Sequence, residues 1–167
     1  LKEKRMGFAY TFDLAQPSLE KTIRTALEIA ELMPQDVHNT LGLAQSVYPQ
    51  MKMIDEAGLK TSLKEKISCA LELETLTRKQ DTRIKRVRKS ALSEGLYEWV
   101  WMDRLGNRVS QTQTSYSAVV TCVAEHGTEA EFGYDSQTSP YLKKLDLKQV
   151  AHGAAESALE LLDAKTA

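Results

Sequence analysis

Three stretches of the chain carry apolar residues at the spacing of an amphipathic helix. They are residues 17–33, 63–79 and 146–162. Pro17 suits a first helical position, because its missing N–H leaves no intrahelical bond unmade. Ser62 and Glu65 match a capping box, and Asp146 opens the last stretch in a similar way. We therefore predict three helices, the first of which ends before Pro34.

β-Branched and aromatic residues with period-two alternation replace this pattern after residue 82. The alternation predicts antiparallel strands at about residues 83–94, 96–102 and 108–125, with a further extended piece around 129–134. Turn-forming residues at 103–107 separate two of these strands. The resulting order of elements predicts an α+β fold, in which helices pack on one face of a largely antiparallel sheet.

The beginning of the chain has an apolar and aromatic run at residues 6–12, MGFAYTF, which is typical of a buried strand. A strand needs a neighbour for its backbone groups, and the five preceding residues are too few to supply one. The connection at residues 34–61 contains two prolines and two glycines and is unusually long for a compact domain. We expect it to lie across the surface of this domain or of a partner.

The composition is that of an ordinary globular protein and is consistent with a single domain over residues 1–167. The formal net charge of −1 argues against general affinity for nucleic acid. No window approaches the length of an apolar membrane span. Cys69 and Cys122 suit neither a disulfide framework nor a four-ligand zinc site, so we expect packing residues in a protein of the reducing cytoplasm.

The histidines predict no catalytic or metal site. His152 and Glu156 are four residues apart on the last predicted helix, yet two ligands do not make a metal site. His126 precedes a glycine at the end of a predicted strand, where a turn residue is expected. His38 lies in the long connection without a patterned partner. The chain also lacks a glycine-rich phosphate loop and a nucleophile elbow.

The densest charge feature is a run of basic residues in the first strand after residue 82. Its members are Arg83, Lys85, Arg86, Arg88 and Lys89. They indicate either a surface that binds phosphate or an acidic partner, or an edge strand protected by charge against unwanted pairing. We favour edge protection, because no aromatic residue alternates with the basic ones. Ile84 and Val87 differ in phase, which predicts a β-bulge.

Tyr97, Trp99 and Trp101 share one face of the strand at residues 96–102. Such a stripe is typical of a sheet core, although at the surface of a sheet it would anchor a partner.

Several short motifs, in order along the chain, resemble the TldD/PmbA family. They are Gly7-Phe-Ala-Tyr-Thr-Phe-Asp-Leu14, Ala26-Leu-Glu-Ile-Ala30, residues 62–74, Asp81-Thr-Arg-Ile84, Ser93-Glu-Gly95, Leu105-Gly106 with Val109-Ser110, residues 116–125, Gly133-Tyr134, and residues 154–162. Members of this family are described as modulators of DNA gyrase and as metallopeptidases that mature peptide antibiotics. The chain departs from the family pattern in two turns, at residues 103–104 and 124–127.

The resemblance implies a non-catalytic N-terminal domain of a longer protein, with residues 6–12 as the second half of a hairpin. Zinc would then be bound in a later C-terminal domain or in a partner subunit, and none in this chain. The few glycines at residues 127–135 favour the PmbA-like branch. The expected partners are a peptide substrate and either a second copy or a TldD-like subunit. The alternative is a module that contacts DNA or a gyrase subunit through the basic residues at 83–89.

Overall fold

A computed structural model describes residues 1–40, 48, 49, 51–103, 105–162 and 164. The chain divides into two compact units, Leu1–Tyr48 and Pro49–Ala167. Whether these units make up the single domain expected from the length stays a prediction. The helices are α1 (Gln16–Leu32), α2 (Glu56–Leu59), α3 (Leu63–Arg78) and α4 (Leu147–Leu162), with a 3₁₀ turn at Leu142–Lys144; the strands are β1 (Ile84–Met102), β2 (Arg108–His126) and β3 (Glu129–Ser139).

The three predicted helices are confirmed, and local sequence signals begin each of them. α1 has proline in its first turn. At α3 the Ser62 hydroxyl accepts from the Glu65 N–H at 3.3 Å, while the Glu65 carboxylate accepts from the Ser62 N–H at 2.9 Å. The Asp146 carboxylate accepts from two backbone N–H groups in the first turn of α4, at 3.0 and 3.1 Å. Each cap satisfies N–H groups that the helix itself cannot.

The three strands form one antiparallel sheet in the order β1-β2-β3. The expected break near Gly95 is wrong, because β1 runs without interruption and Gly95 pairs with Ser115. The ring of Tyr97 lies over Gly95, so close that a Cβ added there would be 2.6 Å from it. An aromatic ring that covers a strand glycine in this way supplies the packing that glycine lacks.

The core lies between one face of this sheet and α3 and α4. On β2 the alternate residues Ala118, Val120, Cys122 and Ala124 are buried against Leu73 of α3 and six buried residues of α4. These are Val150, Ala151, Ala154, Ala155, Ala158 and Leu162. The small side chains let the α4 backbone approach the sheet closely. This arrangement confirms the α+β fold with helices on one face.

In the first unit the expectation of a buried strand at residues 6–12 is wrong. Phe8, Tyr10 and Phe12 are 72–94% exposed, and the segment pairs with no strand in the part of the chain that the structure describes. Gly7 on the alternate face lies against α1, where an added Cβ would be 1.8 Å from the Ala26 carbonyl oxygen. One side of this segment therefore packs on α1 at Gly7, while the aromatic side chains on the other side are exposed.

Part of the long connection is fixed to the sheet. The Met53 carbonyl accepts from the Thr114 N–H of β2 at 2.9 Å, and the Asp55 N–H donates to the Thr114 hydroxyl at 2.9 Å. Asp55 then caps α2 by accepting from the Gly58 N–H. Residues 51–61 thus lie on their own domain, whereas residues 41–47 and 50 of the connection are outside the described residues.

Candidate functional site

β1 is an edge strand of the sheet, as β3 is, with β2 on one side and no strand on the other among the described residues. A groove of about 370 Å³ runs between this edge and α3. Its lining includes Leu63, Ile67 and Leu71 of α3 and residues 90–92 of β1. An unpaired strand edge beside an apolar groove offers backbone hydrogen bonds and side-chain pockets together.

The wall of the groove on α3 is apolar although it faces solvent. Leu63, Ile67 and Leu71 follow one another at intervals of four residues and are 72%, 51% and 59% exposed. Leu73 and Thr77, about 100° around the helix axis from this stripe, are buried. α3 therefore has two apolar stripes, and only one of them serves the core. The helical spacing of the apolar residues predicts this helix but does not show that one of its apolar faces stays open.

Polar contacts fix the spacing between α3 and β1. The Ser90 hydroxyl donates to the Ala70 carbonyl at 2.7 Å. The Lys66 ammonium group pairs with the Glu94 carboxylate at 2.5 Å, and the Lys66 side chain is only 11% exposed. These two contacts fix the distance between α3 and β1 and therefore the width of the groove.

The basic residues at 83–89, which are either a possible partner-binding surface or protection of the edge, have different neighbours in the structure. Arg83 holds Asp81 with two guanidinium contacts of 3.0 and 3.1 Å, and the pKa of Asp81 is lowered to about 2, chiefly by this hydrogen bonding. Arg86 pairs with Glu125 across the sheet. The Arg88 guanidinium lies 5.5 Å from the centroid of the Phe132 ring, within cation–π range.

The predicted bulge is confirmed, and there are two of them. The pairing register shifts between Ile84 and Arg86 and again between Val87 and Lys89. The Lys85 carbonyl accepts from the Arg78 guanidinium at 3.3 Å. Bulges and charges are devices that protect an edge strand from unwanted pairing.

The face of the sheet opposite the helices is basic and aromatic near the bulges. Phe132 and Tyr134 of β3 are 52% and 59% exposed there, and Phe132 lines a cavity of about 370 Å³ with Arg86 and Arg88. No aromatic residue alternates with the basic ones along β1, but Phe132 of β3 lies beside Arg86 and Arg88 on the same face of the sheet. Strand pairing, which the sequence pattern did not reveal, brings β3 into reach of β1.

Tyr97, Trp99 and Trp101 are 42–56% exposed, so their prediction as sheet core is wrong. They stand on the part of the β1–β2 hairpin that extends beyond β3, where the two strands form a ribbon. Leu96, Val100 and Met102 are also exposed on this ribbon, at 46–63%.

A second polar cluster lies under α2. The Tyr116 side chain is 1% exposed, and its hydroxyl has no hydrogen-bond partner among the described residues. Burial, followed by the nearby Asp55 carboxylate, raises the pKa of Tyr116. The pKa of Asp55 is lowered because it accepts from the backbone N–H groups of Gly58 and Leu142. The cluster anchors α2 and brings together no nucleophile and base.

The structure places the remaining candidates apart from one another. Cys122 is buried and its thiol donates to the Ala154 carbonyl, as expected for a packing residue. Cys69 is only half-buried and lines a cavity of about 320 Å³ beside Leu92 and Leu142, so its prediction as core is wrong. His152 lies 3.9 Å from Glu156 on the exposed side of α4.

No group of three or more His, Cys, Asp or Glu residues in the described ranges could hold a metal ion. In the same ranges no helix is both long and apolar enough to span a membrane.

Comparison with known proteins identifies the family. A family model described as the PmbA/TldA metallopeptidase central domain matches residues 57–162. The chain belongs to the PmbA/TldD family. The resemblance recognised in the sequence is thereby confirmed, although the match is to a central domain and the resemblance suggested an N-terminal one. Neither the PmbA-like branch nor the position of this chain within a longer protein is tested by the match.

Solved structures of the PmbA/TldD fold resemble the whole chain. A protein from Thermotoga maritima is 20% identical with a TM-score of 0.63, and one from Bacteroides thetaiotaomicron is 21% identical with a TM-score of 0.69; each is described as a "putative modulator" of DNA gyrase. TldE from Thermococcus kodakarensis is 18% identical with a TM-score of 0.57.

The alignments cover 95–100% of this chain and 36–39% of those chains. The chain thus spans well under half the length of these relatives, and at such identities the likeness shows the fold alone. No curated protein matches the chain.

Proposed function

We propose that the chain is a non-catalytic, substrate-holding domain of a PmbA/TldD-type protein of the cytoplasm. In this proposal it binds an extended segment of peptide along the free edge of β1. Zinc-dependent cleavage, and with it peptide maturation, takes place in a further domain or in a TldD-like partner subunit. The domain shapes the channel that leads the peptide there and assembles either with that subunit or with a second copy of itself.

The observation that carries this proposal is the groove between β1 and α3. An added strand beside residues 90–92 would find unpaired backbone groups on one side and the exposed apolar stripe of α3 beneath it. Main-chain hydrogen bonds supply affinity in such complexes, and pockets for alternate side chains supply preference. The groove therefore favours extended peptides with apolar side chains at every second position.

A peptide-binding titration tests the proposal. The probe is a fluorescent, proline-free peptide with apolar residues at alternate positions, compared with the same peptide N-methylated at alternate residues. Replacement of Ile67 by Glu should raise the Kd at least about tenfold, because the buried area of one aliphatic side chain contributes roughly 1.5–3 kcal/mol. Thr75→Glu adds the same charge to an exposed position of α3 outside the groove and should leave Kd unchanged.

N-methylation should abolish binding if backbone hydrogen bonds hold the peptide. Equal affinity for both peptides, or an equal response to Ile67→Glu and Thr75→Glu, would rule out the groove as the peptide site.

The second candidate function is contact of the basic face with DNA or an acidic subunit. One observation favours it: Arg86 and Arg88 share the open face of the sheet with two exposed aromatic rings, an arrangement suited to stacked bases. In a salt titration of DNA binding, each basic residue that contacts a phosphate contributes about one unit to the slope, so Arg88→Ala should reduce it by that amount. Absence of binding at about 50 mM salt would remove this candidate.

A further inference from the structure

The two halves of β1 differ in the regularity and the charge of their free edge. From residue 84 to 89 the edge carries two bulges and four basic residues, which oppose the addition of a strand. From residue 96 to 102 the strand is regular, and its sequence LYEWVWM has one charged residue, Glu98. A regular, apolar edge strand is a template for pairing with another chain.

The hydrogen bonds of the hairpin determine which backbone groups this edge presents. Thr114 is the partner of Leu96 on β2, yet its N–H is donated to Met53. Leu96 therefore belongs to a pair without hydrogen bonds, and in antiparallel sheets such pairs alternate with bonded ones. At the other end, the Asp103 N–H is donated to Asn107, as the same alternation requires. The outward-facing backbone groups are those of Leu96, Glu98, Val100 and Met102.

We propose that residues 96–102 pair with the same residues of a second copy, antiparallel, about a two-fold axis at Trp99. This inference rests on the proposed function in one respect, that the chain assembles with another subunit, and is independent of the peptide groove. In this register Leu96 meets Met102 of the other copy and Glu98 meets Val100. All four outward-facing residues of each copy then form hydrogen-bonded pairs, which gives about eight bonds across the axis.

The side chains support the same register. Trp99 meets Trp99, and Tyr97 meets Trp101, all at positions without hydrogen bonds, where opposed side chains come closest. Aromatic pairs across antiparallel strands each add stability beyond their buried area. A register centred on Glu98 would instead set two carboxylates directly opposite each other, which is unfavourable.

A second copy is the occupant that these observations favour over an unrelated peptide. The stripe of Tyr97, Trp99 and Trp101 is exposed on one face of the ribbon. An antiparallel copy about Trp99 presents an identical stripe on that face, ring against ring. Two-fold pairing also uses the same surface on both copies and closes the assembly at two chains.

Sedimentation of the full chain over a range of concentrations tests the proposal. We expect a reversible species of twice the 18.7 kDa mass of the chain. Val100→Pro removes one outward-facing N–H without loss of a β1–β2 hydrogen bond, and Trp99→Lys sets two ammonium groups opposite each other. Each should raise the dimer Kd at least about tenfold. Leu105→Lys places the same charge in the turn of the ribbon and should have no effect.

A cysteine pair locates the axis independently of stability. At a pair without hydrogen bonds the two Cα atoms are about 4.5 Å apart, within the range that a disulfide spans. Under mild oxidation Trp99→Cys should therefore form a bond between two copies at position 99, identified by peptide mapping, whereas Leu105→Cys should not.

A monomer at every concentration would overturn the proposal. So would a dimer that Val100→Pro and Trp99→Lys leave intact, or assembly into open fibres. The peptide titration separates this outcome from the proposed function. Ile67→Glu should leave the dimer unchanged, and Trp99→Lys should leave peptide binding unchanged.

Discussion

At the scale of single residues, the absence of a side chain decides how closely β3 and α4 pack. A Cβ added to Gly133 would be 1.9 Å from the Ala154 carbonyl oxygen and 2.8 Å from the Ala158 methyl carbon. The backbone atom cannot move without a shift of the helix. Gly7 in the first unit has the same relation to Ala26 and Ala30, so both units use glycine on a strand-like segment and two alanines on a helix.

Gly133→Ala should therefore destabilise the fold by about 1–3 kcal/mol, the usual cost of overpacking a core. Chemical denaturation followed by circular dichroism measures this change. Gly153→Ala is the matched control, because its added methyl would meet the movable carboxylate of Asp135 and would remove a glycine from a helix. The control should be close to neutral, and an equal loss in both variants would contradict the packing argument.

The Asp81 carboxyl is held ionised by Arg83. Its pKa in the folded chain is about 2, against an ordinary value of 3.8, with hydrogen bonds from the Arg83 side chain as the largest cause. Since the folded pKa is depressed, the stabilisation is present above pH 4 and is lost as the pH falls towards 2. Arg83→Gln removes the guanidinium but keeps the backbone N–H of residue 83. The pKa of Asp81 should therefore rise only part of the way to 3.8.

Carbon-detected NMR titration of the aspartate side chains measures this pKa directly. Lys85→Gln is the control, because Lys85 contributes least to the shift. An Asp81 that titrates at its ordinary value in the unmodified chain would show that the ion pair does not form in solution.

At the scale of elements, the three long helices could be predicted from the sequence because each begins with a local signal, whereas the short helix α2 in the connection was not predicted. Ser62 and Glu65 form a reciprocal cap at α3, and the Asp146 carboxylate accepts from N–H groups in the first turn of α4. The extent of β1 could not be predicted, since Gly95 reads as a break until the position of the Tyr97 ring is known. The pairing of β1 depends on residues of β2 that are distant in the sequence, so it cannot be predicted from the residues of β1 alone.

The candidate site was predictable only in part for the same reason. The basic residues and the bulge in β1 are visible in the sequence, but their neighbours on β2 and β3 are not. The apolar residues of α3 and of residues 96–102 look like core, because an apolar pattern does not reveal whether another layer covers it. The groove and the open edge follow from the packing of α3 beside an edge strand.

Thr114 ties the segment at residues 51–55 to β2 and is fully buried. Its hydroxyl accepts from the Asp55 N–H at 2.9 Å and donates to the Pro140 carbonyl at 2.7 Å. Thr114→Val keeps the shape of the side chain but leaves the Asp55 N–H and the Pro140 carbonyl without this partner. The free energy of unfolding should fall by about 1–3 kcal/mol. Urea denaturation measures the loss.

Thr121→Val is the control for this prediction, on the same strand but on the open face of the sheet. It should change the free energy of unfolding by less than about 0.5 kcal/mol. If the two variants were equally stable, Thr114 would not be the residue that holds the segment.

At the scale of the whole molecule, burial is distributed very unevenly between the two units. The core cluster lies entirely between Leu73 and Leu162, in the second unit. In the described part of the first unit only Ala30 is buried, while Phe8, Tyr10 and Phe12 are exposed. A segment of fewer than about 50 residues with so little buried area is too small to be stable alone.

We therefore predict that residues 49–167 fold without the first unit and that residues 1–48 do not fold without the second. Each hydrogen bond that fixes residues 51–55 joins partners within the second unit, so its fold should survive removal of the first. Two-dimensional amide NMR of residues 49–167 should reproduce the peak positions of α3, α4 and the sheet in the intact chain. A dispersed spectrum from residues 1–48 would show that the first unit folds by itself. A collapsed spectrum from residues 49–167 would show that the fold of the second unit depends on the first.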